Sequence, residues 1–126
     1  MNSRELWTST RTDPGGDLDR PAAVLELGRG RLDAAEPFAV ASVRRWDGVS
    51  QVGRTQSDVV LATIHVRAGE PRGLQLAYDA VTAAARLSSF RSRQQLKPLV
   101  TALEARSGAD AHQLARKARQ VATTRV

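Results

Sequence analysis

Two histidines, a group of aspartates near the amino terminus and a close pair of glycines are the residues of this 126-residue sequence whose types could do chemistry. His65 and His112 each fall in a helix-like stretch. Neither has a carboxylate or a second histidine at metal-ligand spacing, so a satisfied or solvated imidazole is the better reading. Asp13, Asp17 and Asp19 could approach a calcium ion, but the glutamate that closes a calcium-binding loop is missing, and capping and turn roles explain all three. Gly28-Arg29-Gly30 lacks the third glycine and the preceding strand of a dinucleotide loop. Serine, histidine and aspartate occur without a nucleophile elbow. Cysteine is absent, which excludes disulfides, thiolate metal sites and a thiol nucleophile. The expectation is a non-enzymatic protein with no catalytic residues, no metal and no cofactor.

The cations are more informative. Residues 1–80 hold ten arginines against eleven acids, a net of −1, whereas residues 81–126 hold nine cations against Glu104 and Asp110, a net of +7. A basic end can meet nucleic acid, anionic lipid or an acidic protein surface, and it can equally be a solvated helix face. Arg116, Lys117 and Arg119 are the basic face of the last helical stretch. Aromatic residues, which stack on bases, are nearly missing from this third, with Phe90 alone. The chain has no apolar block long enough for a membrane span or a signal peptide, so the expected address is the cytoplasm.

The elements that would position these groups repeat. Gly30, Gly69 and Gly108 are spaced at intervals of 39 residues, and Leu25, Ile64 and Leu103 follow the same offset, as do Ala22, Leu61 and Val100. An apolar-periodic helical segment precedes each glycine and another follows it. The unit is helix, glycine turn, helix, with glycine in the left-handed conformation that closes a helix. The spacing predicts turns at 28–31, 47–56, 69–71 and 107–110. It places caps at Asp19, at Ser57 or Asp58, at Ser92 with Gln95, and at Asp110. Pro98 implies a kink or a late start in the third unit. The expected core is Leu25, Phe38, Val43, Leu61, Ile64, Leu74, Tyr78, Val81, Leu99, Leu103, Leu114 and Val121. Residues 1–12 read as a short amino-terminal helix or tail, and 13–126 as one all-α domain, a stack of about three helical hairpins of the α-solenoid kind.

The stretch Gly30-Arg31-Leu32-Asp33-Ala34-Ala35-Glu36 resembles the tetratricopeptide turn, with glycine five residues before an alanine of the second helix. Gly69 followed by Leu74 and Tyr78 resembles the same spacing. More broadly, residues 30–81 and the ending QQLKPLVTALEARSGADAHQLARKARQVATTRV are similar to the carboxy-terminal helical-repeat region of actinobacterial helix-turn-helix transcriptional regulators. The period of 39 exceeds the tetratricopeptide period of about 34, and Asp58 and His65 stand at two positions that are aromatic in the consensus. The amino-terminal residues are too few for a helix-turn-helix domain. The chain is therefore expected to be a standalone derivative of such a regulator or its tail, and direct DNA recognition does not transfer to it.

The resemblance implies that the first helix of each hairpin lines a concave groove for an extended or helical peptide. Family spacing then puts Arg20 in the first unit, Gln56, Thr63 and Arg67 in the second, and Gln95 and Arg106 in the third on that groove. Arg67 and Arg106 are 39 residues apart. They could clamp carboxylates of an acidic partner, or act as ordinary cations at helix carboxy termini. The leading expectation is a protein-interaction module of regulatory or scaffolding type. The alternatives are a nucleic-acid-associated protein using the basic carboxy-terminal third, and a self-associating homodimer.

Overall fold

The computed structural model describes residues 17–124; the segment 1–12 and Asp13 lie outside the described residues. No strand occurs among the described residues, and the secondary structure is helical: α1 Asp19–Gly28, α2 Leu32–Trp46, α3 Gln51–Arg67, α4 Gly73–Ala85, α5 Phe90–Gln94, α6 Lys97–Ala105 and α7 Ala109–Thr123. Helix α1 packs on α2, α3 on α4 and α6 on α7, and α2 also packs along α3. The first helices touch in succession, α1 to α3 and α3 to α6, while α4 rests on α7.

The first two glycine turns are the same turn 39 residues apart. The Gly30 amide donates to the Leu27 carbonyl at 3.0 Å and Arg31 to Glu26 at 2.9 Å; the Gly69 amide donates to Val66 at 3.1 Å and Glu70 to His65 at 3.2 Å. This crossed pair closes a helix when the intervening residue is left-handed, and Gly30 and Gly69 have φ of 76° and 73°. The third turn departs from the pattern. Gly108 has φ 109° and is itself the N-cap of α7, so Asp110 lies in the first turn and caps nothing with its side chain.

Three other caps fall elsewhere than the sequence suggests. Asp17, not Asp19, closes the start of α1: its Oδ1 accepts from the amides of Asp19 at 3.1 Å and Arg20 at 3.2 Å. Ser50, not Ser57 or Asp58, caps α3, accepting from the Gly53 amide at 3.0 Å. Helix α3 therefore begins at Gln51, and the loop expected over 47–56 shrinks to a turn. The physical reason is Gly53, whose bare Cα lets the Trp46 ring lie against α3: a Cβ there would sit 2.6 Å from the indole. Pro98 does mark a late start. The third unit opens with the separate short helix α5, capped by Ser89 and not by Ser92, whose amide Ser89 accepts from, and α6 begins with proline in its first turn, where no helical amide bond is lost.

Two apolar clusters share α3. The larger joins Val59, Ala62 and Val66 to α4, to Leu96, Leu99 and Leu103, and to the alanines of α7. The smaller holds Ala23, Leu27, Ala35, Ala39 and Ile64. Ile64, Val81, Leu99 and Leu103 are buried, and Leu61, Leu74, Leu114 and Val121 pack half-buried against the clusters. Val43 is also half-buried. Leu25, Phe38 and Tyr78 are not core residues, at 55%, 38% and 50% exposed. Leu25 is instructive. Its repeat equivalents, Ile64 and Leu103, are covered by the hairpin before them, and no hairpin precedes α1 among the described residues.

Candidate binding groove

Helices α1, α3 and α6 together wall an open groove of about 800 Å³. Its floor is apolar. Val24 and Leu27 come from α1, Val59 and Val66 from α3, Ala102 and Ala105 from α6. Thr63, Arg67, Gln95 and Arg106 lie in the same lining, whereas Arg20 and Gln56 do not. Among the described residues no aspartate or glutamate lines the groove, and the formal charges there are two guanidinium groups.

Each polar side chain has a definite state. Thr63 is 2% exposed and its hydroxyl donates to the Val59 carbonyl of its own helix at 2.7 Å. Arg67 Nη1 donates to the Leu27 carbonyl at 3.0 Å, so it caps the end of α1, one hairpin back, rather than its own helix. Arg106 is half-buried, and its Nη1 is buried without a hydrogen-bond partner; this nitrogen would be 3.0 Å from a Cβ at Gly73, beside the start of α4. Gln56 turns to α5, donating to the Ser92 hydroxyl at 3.2 Å. The Arg20 amide is held by Asp17.

The basic residues of α7 are exposed but engaged. Arg119 pairs with Glu104 of α6, and Lys117 stands 5.5 Å from the Tyr78 ring centroid. Arg116 flanks a shallower depression that also includes Glu104 and His112. Tyr78, expected inside, is thus part of the α4–α7 surface, where its hydroxyl stays wet.

Two side-chain clusters escape the sequence reading. His65 does meet carboxylates: its Nδ1 is 2.7 Å from Glu70 Oε2 and its Nε2 is 3.3 Å from Glu36 Oε2. Glu70, five residues on, was in plain view, but only the Gly69 turn folds it back; Glu36 arrives from α2. Among the described residues no group of histidines and carboxylates is suited to a metal ion, and this trio works as a strut between hairpins. The second cluster centres on Asp17, which is 4% exposed. Its Oδ2 accepts from Trp46 Nε1 at 2.6 Å and from Ser42 Oγ at 2.9 Å, and the Ser42 and Ser57 hydroxyls are 2.6 Å apart. Burial pushes the Asp17 carboxyl up, but the hydrogen bonds from Trp46, the Arg20 amide and Ser42, helped by the Arg20 charge, outweigh it and hold the group below the ordinary carboxylate value.

No family model, no curated protein and no solved structure matches the chain. None of the helices described is long and apolar enough to cross a membrane.

Proposed function

We propose that the chain is a non-catalytic protein-interaction module, a tetratricopeptide-like stack related to the repeat regions of transcriptional regulators, whose groove takes a segment of a partner protein in the cytoplasm. One observation carries the reading: the first helices of all three hairpins contribute to a single cavity with an apolar floor and, among the described residues, only cationic charge. A groove of this kind suits an extended or helical segment, with apolar side chains on the floor and main chain toward the rim. The basic face of α7 supports nucleic-acid binding less well, because Arg119 is already paired and Lys117 is already stacked.

The test is site-specific photo-crosslinking in living cells. A photoreactive residue at Ala105 or Val24, both exposed groove positions, yields discrete protein adducts. The same residue at Gln113, on the α4–α7 surface, does not. Adducts from Gln113 alone would put the interaction on the other face and end the groove reading.

A further inference from the structure

We infer that Arg106 alone is the anion anchor of this groove, and that the segment it receives carries a carboxylate among apolar side chains. The inference rests on the groove reading above and narrows it to one residue and one chemistry. Arg67 and Arg106 stand 39 residues apart, at equivalent places on successive hairpins, but their guanidinium groups are in different states. Arg67 is tethered: its Nη1 bond to the Leu27 carbonyl at 3.0 Å holds α1 against α3. Turning Arg67 toward a ligand would forfeit that bond and leave the Leu27 carbonyl with the Gly30 amide as its one remaining donor.

Arg106 is not tethered. The acceptor equivalent to Leu27 is the Val66 carbonyl, 40 residues before it as Leu27 is before Arg67, yet Arg106 does not bond it. Its Nη1 lies against the start of α4 at Gly73, buried and without an acceptor. A buried donor of a cation with no acceptor is unfavourable. Moving this side chain toward the groove therefore sacrifices no hydrogen bond and relieves an unmet one. Among the described residues the lining contains no carboxylate, so the described walls offer this guanidinium no counter-charge. An occupant that carries a carboxylate supplies one.

The chemistry of that occupant follows. A guanidinium binds a carboxylate through two parallel N–H···O bonds. The floor beside it, Val66, Ala102 and Ala105 on one side and Val24 with Leu27 across from them, accepts aliphatic side chains. A free inorganic anion would leave this floor uncovered. A second copy of the chain is a poorer fit, because the formal charge is +6. The occupant is an acidic, apolar peptide segment of another protein.

The experiment selects random peptides of about a dozen residues on the full chain, then measures selected peptides by fluorescence anisotropy. The expected winners combine leucine, isoleucine, valine or phenylalanine with an aspartate or glutamate. Replacing that acid by its amide weakens binding about tenfold or more, Arg106→Gln does the same to the parent peptide, and Arg67→Gln leaves affinity within about threefold. Winners without an acid, or amide peptides that bind as well as their parents, overturn the anion anchor while leaving a peptide groove in place. Equal losses in Arg67→Gln and Arg106→Gln overturn the single-anchor assignment. No enrichment over an unrelated bait overturns the groove reading itself. If Arg106→Gln is too unstable to measure, the acid-to-amide peptides decide the question on the unaltered protein.

Discussion

The Trp46 indole donates to Asp17 Oδ2 at 2.6 Å, joining the last residue of α2 to the residue that caps α1. The same carboxylate holds Ser42 and the first amides of α1. One buried anion thus satisfies donors from α1 and α2, and through Ser42 it is linked to Ser57 of α3.

Removing that carboxylate leaves buried donors unmet. Asp17→Ala should cost about 1.5–3 kcal/mol, the range for hydrogen bonds to a charged group, measured by urea denaturation near neutral pH. The pH dependence has a definite sign. The folded-state pKa lies below the ordinary aspartate value, so the stabilisation is fully present above the unfolded value and fades as pH falls through the folded one. Asp17→Asn should flatten the acid side of the stability curve. An unchanged acid limb would mean that Asp17 is not the group responsible.

Gly53→Ala should be destabilising by about 1–3 kcal/mol, as for overpacked cores, because its methyl would meet the Trp46 ring at 2.6 Å. In a Trp7→Phe background, where Trp46 is the sole indole, the emission maximum should move to the red as the ring is displaced. A variant with wild-type stability and emission would show that α3 has room at this point.

Gly30 and Gly69 invite a paired test. A Cβ at either position meets nothing within 4 Å, and both have positive φ, so substitution costs only backbone strain. Gly30→Ala and Gly69→Ala should each lose about 1–2 kcal/mol. Similar losses are expected because the two turns share one hydrogen-bond pattern. A loss at one site alone would break the equivalence.

Leu103 and Leu25 occupy the same repeat position with opposite surroundings, 0% and 55% exposed. Leu103→Ala should cost about 2–5 kcal/mol, whereas Leu25→Ala should stay within about 0.5 kcal/mol. Calorimetric midpoints check both. A large loss at Leu25 would mean that its face is covered in solution.

What the sequence discloses depends on how sharply a residue's chemistry restricts it. Gly30 and Gly69 were legible because few residues tolerate a left-handed turn, and Leu99 and Leu103 because large aliphatics on one stripe have one sensible place. The caps were ambiguous, since Asp17 and Asp19, or Ser50 and Ser57, are chemically equal candidates and only the close approach of Trp46 to Gly53 chooses among them. In α4, leucine and alanine fall on several faces, so the stripe could be phased through Tyr78. The helix instead buries Ala77, Ala80, Val81 and Ala84, where small side chains let α7 come close. In the groove, the positions of Thr63, Arg67, Gln95 and Arg106 followed from the repeat, but the difference between the two arginines did not, because it depends on whether a carbonyl lies within reach. The partners of His65 were hidden for a related reason: Glu36 is distant in sequence and Glu70 is reached only around a turn.

The apolar part of the seam between the first hairpin and the rest is Ala23, Leu27, Ala35, Ala39 and Ile64, with Leu32, Val60 and Leu61 at its margin; Ser42 with Ser57, Glu36 with His65, and Leu27 with Arg67 add polar ties across it. Local opening at such a seam costs less free energy than global unfolding. That hairpin also carries Val24 and Leu27, one wall of the groove. The groove is therefore built like a vice, with α3 and α6 as the fixed jaw, α1 as the sliding one, and the Arg67 bond to Leu27 as the screw that sets the gap. Loosening that bond would release one of the ties that hold α1 against α3, on the wall opposite Ala102 and Ala105.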